Sequence, residues 1–416
     1  MNIIFLTLAR ISDIEERGIY SDLMRKFRDD GHNVYIVTPQ ERRLVNGSLF
    51  SVNGANLVGN NGVHILNVNT FNIQKTNIVE KGIGTLLIES QFKTAIKKYL
   101  GHVKFDLITY STPPITFTNV VKYLKKKNPK AISYLQLKDI FPQNAVDMNM
   151  FGDKSVLNWY FRRKEKDLYD ASDYIGCMSP ANVEFLLKHN PKIDAKSVEV
   201  APNSIELMPE LSESDERAKR STERGYIRHK YHLPKDRPVI IYGGNLGKPQ
   251  GIPYLIECLE ANKKRTDCYF VVVGTGTEYA RLKAWYDLNL NDNLNVKVMK
   301  GLPKADYDLL VRSCDVGMIF LDHRFTIPNY PSRLLSYLEN KMPVLCATDV
   351  NTDIGKIAEE NGYGYWCESV KPEDFTALVD KMLASDIKAM GERGYEFLKQ
   401  NYLVEHTYNA IMRHIK

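Results

Sequence analysis

The chain has 416 residues, of which 44% are hydrophobic and 25% charged, and its formal net charge is +6. This length exceeds what one hydrophobic core normally supports, so we expect two globular domains. The composition argues against a disordered protein, and the mildly positive charge does not indicate a nucleic-acid partner.

The cysteines and the N-terminal segment bear on the cellular location. Six cysteines are scattered without the close pairs that structural zinc requires, so we expect free thiols in a reducing cytoplasm. Residues 1–6 are apolar but have no basic lead-in and no cleavage site, which favours a buried strand over a signal peptide. No run of about eighteen apolar residues occurs, so any membrane contact should be peripheral.

The first half of the chain alternates short apolar segments with longer helical ones. This alternation predicts a parallel sheet with helices on both faces, which is a Rossmann-like domain over residues 1–205. We expect strands at 3–8, 33–37, 64–68, 107–110, 132–137, 174–178 and 198–201, and helices at 18–30, 84–100, 114–127, 157–171 and 180–189.

The second half repeats the alternation after an interruption. Residues 206–236 are charged and lack an apolar period, which predicts a solvated linker or insertion. Residues 237–390 predict a second Rossmann-like domain, and 391–416 a C-terminal helix that packs back toward the first domain. The expected strands of the second domain are 239–242, 269–273, 294–299, 316–320 and 343–346.

The first candidate site is the glycine-rich loop after the strand at 239–242. Open parallel sheets bind ligands beyond the carboxyl ends of their strands. Gly244, Asn245 and Gly247 would let backbone amides approach a phosphate, and Lys248 would add a mobile positive charge. A flexible loop with an incidental lysine is the alternative, but the strand–loop–helix context favours phosphate binding.

The second candidate is the Gly-Thr-Gly turn formed by Gly274 and Gly276 after the next strand. Many such turns use their glycines only for tight packing, and this remains an alternative to phosphate binding. Tyr279 stands where a dinucleotide fingerprint needs its third glycine, which argues against a nicotinamide-dependent dehydrogenase.

The third candidate follows the strand at 316–320. We expect Ser332 to cap the next helix, whose free amides would hold a diphosphate together with Arg333. The alternative is an ordinary helix cap beside a solvated arginine.

Two residues of the first half follow strands in the same way. Gly18 precedes a helix after the first strand, where it suits an acceptor or a phosphate. Asp139 follows the strand at 132–137 and should point into a cleft between the domains. The alternative is that Asp139 caps a turn before Pro142.

Two other patterns have ordinary explanations. Asp306 and Asp308 imitate a metal-binding Asp-x-Asp motif, but they fall where a helix should begin, and acids are stable there without a metal. The basic runs 122–130 and 161–166 are typical of solvated helix faces. Next to Trp159, Tyr160 and Phe161, the second run is also compatible with contact to anionic lipid.

In this order, the loops resemble family 4 of the glycosyltransferases, whose α/β GT-B fold has two Rossmann-like, doubly wound parallel-sheet domains facing a cleft. The likeness covers nearly the whole chain. It is carried by Gly18, Gly31-His32-Asn33-Val34, Val200-Ala201-Pro202-Asn203-Ser204-Ile205, the loop 244–251, Val273-Gly274-Thr275-Gly276 and Cys314-Asp315-Val316. Segments 139–143, 244–251 and 331–334 look closest to a bacterial subgroup similar to the N-acetylfucosaminyltransferases of O-antigen and capsule assembly.

The resemblance implies a UDP-sugar donor, an acceptor saccharide on a polyprenyl diphosphate, and work at the inner face of the plasma membrane. It suggests retention of configuration. Lys248, Arg333 and helix amides would stabilise the leaving diphosphate without a metal, and we expect no other cofactor. The candidate catalytic residues are then Asp139, Lys248 and Arg333. The candidate nucleotide-sugar-binding residues are Gly18, Gly244, Asn245, Gly247, Gly274, Gly276, Pro331, Ser332 and Leu334.

The chain also departs from the family. Two family glutamates, eight residues apart, fall at Pro328 and Ser336, while Glu339 is three residues out of register. Lys138 replaces a frequent histidine and Lys341 a familiar glycine. Alternatives are therefore a sugar-nucleotide epimerase or hydrolase on the same fold, and a non-catalytic nucleotide-sugar-binding subunit.

Overall fold

The computed structural model of the protein describes residues 1–44, 54–73, 78–209, 213–290 and 295–415. It divides into two compact units. The first domain comprises Met1–Glu206 and Leu403–Lys416, and the second comprises Leu207–Tyr402. Among the described residues, no helix has the length and apolar composition that a membrane crossing needs.

The first domain contains an eight-stranded sheet in the order β3-β4-β2-β1-β5-β6-β7-β8. Neighbouring strands are parallel, except that β3 pairs antiparallel with β4. Strand β5 is buried along its whole length and β6 at every residue but its first, as expected for a sheet covered on both faces. The strands are β1 (Asn2–Leu6), β2 (Asn33–Glu41), β3 (Ala55–Asn60), β4 (Val63–Thr70), β5 (Leu107–Ser111), β6 (Ile132–Leu137), β7 (Tyr174–Cys177) and β8 (Val198–Val200).

Helices flank this sheet and the C-terminus contributes one of them. The helices are α1 (Ile19–Asp29), α2 (Ile78–Tyr99), α3 (Thr118–Lys127), α4 (Gln143–Asp147), α5 (Val156–Tyr169), α6 (Pro180–His189) and, from the end of the chain, α15 (Val404–Met412). One core joins Phe5 of β1, Phe27 of α1 and Ile411 of α15. Elsewhere α2 contacts α3, and α3 contacts α5.

The second domain contains a six-stranded, wholly parallel sheet in the order β11-β10-β9-β12-β13-β14. Its strands are β9 (Val239–Asn245), β10 (Tyr269–Thr275), β11 (Val296–Lys300), β12 (Val316–Phe320), β13 (Val344–Thr348) and β14 (Gly364–Glu368). Its helices are α7 (Glu213–Lys230), α8 (Ile252–Asn262), α9 (Tyr279–Leu288), α10 (Lys304–Ser313), α11 (Arg333–Glu339), α12 (Ile354–Glu360), α13 (Pro372–Leu383) and α14 (Ile387–Asn401). The expected strand at 294–299 begins at a residue outside the described part of the chain.

Each sheet has a point at which the order of its strands reverses direction. In the first domain the reversal lies between β1 and β5, and in the second between β9 and β12. Loops diverge there and leave a crevice beyond the carboxyl ends of the strands. This confirms the predicted fold class of two doubly wound parallel-sheet domains and locates the candidate loops within it.

The segment expected to be a solvated linker instead contains a helix of the second domain. Residues 210–212 lie outside the described part, and α7 then packs on α10. Arg228 of α7 is buried and donates to the carbonyl oxygen of Ser313 at 2.7 Å and to Asp315 at 2.7 Å. Arg224 also donates to Asp315, at 2.8 Å. Because arginine hydrogen bonds anchor much of this face, its apolar period is too weak to reveal the helix.

The C-terminal segment forms two helices where the sequence predicted one over 391–416. The second-domain helix α14 ends at Asn401, and α15 packs in the first domain. The backbone amide of Val404 donates to the carbonyl oxygen of Ile205 at 3.0 Å. Ser204, which replaces a family glycine, donates its buried hydroxyl to Thr407 at 2.8 Å. The serine therefore helps to fix α15 on the first domain.

Candidate functional site

Arg333 and Gly244 lie together at the reversal point of the second sheet. Gly244 begins the exposed end of β9 with φ of 124°, and a Cβ built on it would lie 3.7 Å from Arg333 Cζ. The guanidinium of Arg333 lies over the Tyr242 ring, 4.3 Å from the ring centroid. The structure therefore brings the predicted glycine and the predicted arginine into one site, although they are far apart in sequence.

The charge of Arg333 has no carboxylate partner among the described residues. Its Nη1 atom is buried and makes no hydrogen bond within the described chain. Its surroundings include the aromatic residues Tyr242, Tyr307 and Tyr337. A half-buried cation with one buried nitrogen and no counter-ion is unfavourable, so this environment suits an anionic ligand.

The backbone amides of the glycine loop are largely committed to the loop itself. The amide of Leu246 donates to Thr275 at 2.9 Å, and that of Gly247 to the side chain of Gln250 at 3.1 Å. The side-chain amide of Asn245 donates to the same Gln250 oxygen at 3.0 Å. The prediction of an amide cradle is therefore wrong for Gly247, because Gln250 already satisfies its amide.

Lys248 supplies the cation that the sequence placed in this loop. It begins a short 3₁₀ turn, Lys248–Gln250, and its side chain is exposed. Its ammonium has no hydrogen-bond or ion-pair partner among the described residues. Lys248 and Arg333 are thus side-chain cations in the segments that follow β9 and β12.

Gly274 and Gly276 allow the strand-end loops to approach closely. A Cβ on Gly274 would lie 1.9 Å from the carbonyl oxygen of Gly244, and one on Gly276 would lie 2.2 Å from that of Leu246. Real Cβ atoms do not come so close to backbone atoms, so both positions exclude every side chain. The tight-packing alternative thus accounts for these two glycines without a ligand.

Ser332 occupies the N-cap position of α11 but does not cap it. Its backbone is in the right-handed helical region, and its side chain accepts no hydrogen bond from the helix. The amides of Leu334 and Leu335 are taken by Pro331 and Ser332, at 3.2 and 3.1 Å. The predicted cap is therefore wrong, and Arg333 is the first residue of this seven-residue helix.

Glu339 and Asp306 both accept hydrogen bonds from other residues of the second domain. Glu339 accepts a hydrogen bond from the backbone amide of Met208 at 3.1 Å. Asp306, in the false Asp-x-Asp motif, accepts from Lys230 at 2.7 Å and from Tyr231 at 2.6 Å. Glu339 consequently does not restore either family glutamate in this conformation.

Asp139 lies at the end of β6 in the first domain, half-buried. Its Oδ1 accepts from Asn144 at 2.7 Å, and its backbone amide donates to the hydroxyl of Thr112 at 3.1 Å. Burial raises the pKa of Asp139 to about 6, although the bond from Asn144 opposes the rise. Burial also raises the pKa of Tyr20, and the negative charge of Asp139 adds to that rise. Tyr20 therefore lies close to the carboxylate.

The side chain of Lys138 has a different hydrogen-bond partner from that of its neighbour Asp139. Its ammonium donates to the carbonyl oxygen of Ala201 at 3.2 Å. Burial lowers the pKa of Lys138 to about 7. The residue that replaces a family histidine is thus held between β6 and the segment after β8.

Gly18 is exposed at the N-cap position of α1, with an extended φ of 174°. The sequence analysis suggested that Gly18 suits an acceptor or a phosphate. Its backbone amide donates to the carboxylate of Asp22 at 2.9 Å. Asp22 also accepts from Arg25 at 2.6 Å and from the amide of Glu206 at 3.0 Å. Sequence reasoning missed this buried acid. Its signal was an Asp–Arg pair three residues apart on an otherwise buried helix face.

A scan against family models places this chain among known proteins. Residues 223–397 match the family described as "Glycosyl transferases group 1". A search of curated proteins finds the probable glycosyltransferase WbjE of Pseudomonas aeruginosa, 23% identical over 274 residues, which are 64% of each chain. It also finds the putative colanic acid biosynthesis glycosyl transferase WcaI of Escherichia coli K12, 26% identical over 157 residues, 37% of this chain and 36% of that protein. The chain therefore aligns with less than two thirds of either relative.

A search of solved structures finds the same fold over the full length. Alr3699/HepE of Anabaena, solved in complex with UDP-glucose, is similar with a TM-score of 0.65 and 12% identity, and the match covers 100% of this chain and 99% of that one. This likeness establishes the GT-B fold. The family match over residues 223–397, together with the two relatives, supports the predicted enzyme class, a glycosyltransferase.

Proposed function

We propose that the protein transfers a sugar from a UDP-sugar to a saccharide carried on polyprenyl diphosphate, in the synthesis of a bacterial surface polysaccharide such as O-antigen or capsule. The observation that carries this proposal is Arg333, a cation without a counter-ion, beside Gly244 at the reversal point of the second sheet. The UDP-glucose bound by Anabaena HepE supports a UDP-linked donor. We propose an N-acetylated deoxyhexosamine as the sugar, from the resemblance of the three loops.

The principal chemical requirement is to stabilise the leaving diphosphate. The bond from the anomeric carbon to the β-phosphate oxygen breaks, and a bond from that carbon to the acceptor hydroxyl oxygen forms. Negative charge therefore builds on UDP while the sugar becomes oxocarbenium-like. Lys248 and Arg333 supply positive charge to the phosphates, so the proposal requires no metal or other cofactor.

Asp139 acts in this proposal on the acceptor. We propose retention of configuration, in which the acceptor attacks from the side of the departing diphosphate and its proton passes to a phosphate oxygen. Asp139 then orients the acceptor hydroxyl by accepting a hydrogen bond from it. Only the ionised carboxylate is purely an acceptor, so this role needs Asp139 deprotonated.

Product analysis distinguishes the proposed transferase from its alternatives. The purified protein is incubated with labelled UDP-N-acetylhexosamines, with and without lipid-linked saccharides extracted from bacterial membranes. A transferase releases UDP and places an equal amount of label in the lipid. A hydrolase releases free sugar without acceptor, and an epimerase yields an isomeric UDP-sugar.

The engagement of Glu339 by Met208 favours one further candidate, a subunit that binds nucleotide sugar without catalysis. Such a protein would bind UDP but form no product with any acceptor. Labelled lipid in the product assay would exclude this candidate.

A further inference from the structure

The first turn of helix α5 and the segment just before it expose several apolar side chains. Four of them lie within ten residues, and we call them the apolar tip: Met150, Val156, Leu157 and Trp159, with 64%, 82%, 48% and 63% of their surfaces exposed. Single exposed apolar residues are ordinary, but several close together in sequence, one of them a tryptophan, favour an interaction surface. The proposed chemistry does not use these residues.

The other aromatic residues of this segment do not belong to the exposed surface. Phe161 is half-buried, and its ring lies 4.9 Å from that of Phe141 and 6.1 Å from that of Phe151. Tyr160 is half-buried beside Phe161, with ring centroids 5.3 Å apart. Of the three aromatics that the sequence associated with lipid contact, only Trp159 projects outward. The rings of Phe141, Phe151 and Phe161 instead pack against one another.

Two cationic side chains lie on the same exposed face of α5 as Val156 and Trp159. Val156, Trp159, Arg163 and Lys166 are all exposed and follow one another at spacings of three, four and three residues, so they share one helix face. Arg163 and Lys166 have no ion-pair partner among the described residues. This face ends at the exposed Asp170, one turn further on. Its apolar beginning and cationic middle match the layered chemistry of an anionic bilayer surface.

The tip also lies at the functional edge of the first domain. Helix α5 ends four residues before β7 begins, so its C-terminus is at the amino edge of the sheet. Its 14 residues span about 21 Å, which returns Val156 to the carboxyl edge, where Asp139 follows β6. Phe141, two residues beyond Asp139, contacts the helix through Phe161. A bilayer at the tip would thus present a lipid-linked acceptor on the side of Asp139.

We propose that the apolar tip, together with Arg163 and Lys166, docks the protein on the surface of a bilayer containing anionic lipid. The inference rests on the proposed function in one respect, since a lipid-linked acceptor gives this docking its use. One tryptophan and three aliphatic side chains are too few for a stable protein interface, but they suit weak peripheral binding strengthened by cations. Lipid headgroups supply the negative charge that these cations lack.

Sedimentation with vesicles tests the docking surface. The full-length protein is mixed with phosphatidylcholine vesicles that contain or lack phosphatidylglycerol. We expect binding that depends on phosphatidylglycerol and weakens with salt. Trp159→Ser should lower the partition coefficient about tenfold, and Arg163→Glu should lower it about fivefold or more. Val156→Ser, at the most exposed position of the tip, gives a second apolar variant with little risk to folding.

Matched controls come from the second domain. Leu288→Ser removes a side chain that is 87% exposed, and Lys356→Glu reverses an exposed charge on α12. Neither control should change vesicle binding. The proposal is overturned if the wild type does not sediment, if it binds equally without anionic lipid, or if the α5 variants bind as well as the controls. It is also overturned if Trp159→Ser converts a dimer to a monomer in analytical ultracentrifugation, because the tip would then be an interface between copies of this chain.

This test is independent of the transferase assay. Failure of vesicle binding would leave donor binding and product formation untouched. Conversely, a protein that binds vesicles through α5 but makes no glycolipid would retain the docking surface and lose the proposed function.

Discussion

The guanidinium of Arg333 rests on the ring of Tyr242, with Cζ 4.3 Å from the ring centroid, and its buried Nη1 has no hydrogen-bond partner among the described residues. The aromatic face stabilises the cation without neutralising it. A counter-ion from the protein would compete with substrate, whereas the tyrosine leaves the charge available. This arrangement explains how the site can favour the diphosphate of a nucleotide sugar.

Arg333→Met should separate binding from folding. We expect kcat/KM to fall about 10²-fold to 10³-fold and the affinity for UDP to fall with it, because the variant loses the cation nearest Gly244. The thermal midpoint of the variant without ligand should not fall, since the change removes a cation that lacks a counter-ion. Calorimetric titration with UDP, together with thermal unfolding, measures both quantities. Unchanged UDP affinity would remove Arg333 from the donor site.

Lys248→Ala should lower turnover strongly while leaving the fold intact. The side chain is exposed and touches no partner, so the free energy of unfolding should change by less than about 0.5 kcal/mol. Steady-state kinetics with UDP-sugar checks the loss, for which we expect about 10²-fold. Lys356→Ala, another exposed lysine of the second domain, is the matched control and should be silent. Equal activity of the two variants would exclude Lys248 from the mechanism.

Asp139 should set the acid limb of the pH–activity profile. Its pKa of about 6 means that the carboxylate is protonated below pH 6, so kcat/KM should fall about tenfold per pH unit there. Asp139→Asn should have low activity at every pH and no such limb. An acid limb of the same midpoint in the variant would assign the titration to another group.

The same substitution should stabilise the fold at neutral pH. The folded pKa of Asp139, about 6, exceeds its ordinary value of 3.8, so protonation favours the folded state. That contribution is complete below pH 3.8 and is lost as the pH rises through 6. At pH 7.5, Asp139→Asn should therefore raise the free energy of unfolding by about 1 kcal/mol. A lower stability of the variant at pH 7.5 would show that burial of the ionised Asp139 carboxylate does not destabilise the folded protein.

Gly274→Ala should destabilise the second domain. The added Cβ would meet the carbonyl oxygen of Gly244 at 1.9 Å, and backbone cannot yield as a flexible side chain does. We expect a loss of about 3 kcal/mol or more in the free energy of unfolding, measured by urea denaturation. Gly225→Ala provides a control of opposite sign in the same domain, because a Cβ on this glycine of α7 would meet nothing within 4 Å. It should stabilise by about 0.5–1 kcal/mol.

The sequence predicted those parts of the fold that local patterning encodes. Short, mainly apolar segments such as β5 and β12 predict strands buried on both faces, and their alternation with helices indicates two parallel sheets. The edge strand β3 was missed because it alternates between exposed and half-buried residues and has little apolar signal. Helix α7 was missed because Arg228 anchors it through hydrogen bonds that leave no apolar period.

The candidate site was predictable in its location but less so in its chemistry. Strand ends identified Asp139, Gly244 and Arg333, since topology alone places such loops at the crevice of each sheet. Which amides remain free depends on tertiary partners: Gln250 satisfies Gly247, and no local pattern announced that bond. The role of Tyr242 was hidden for the same reason, because its partner Arg333 is 91 residues away in sequence.

Nucleotide-dependent thermal stability tests the central claim most directly. The full-length protein is unfolded in the presence of UDP, GDP or CDP and of UDP-sugars, each with and without magnesium. We expect a rise in the midpoint that is selective for UDP compounds, independent of magnesium, and absent in Arg333→Met. A folded wild-type protein whose midpoint no nucleotide shifts would contradict the account, because the unpaired cation beside Gly244 would then not serve a nucleotide sugar.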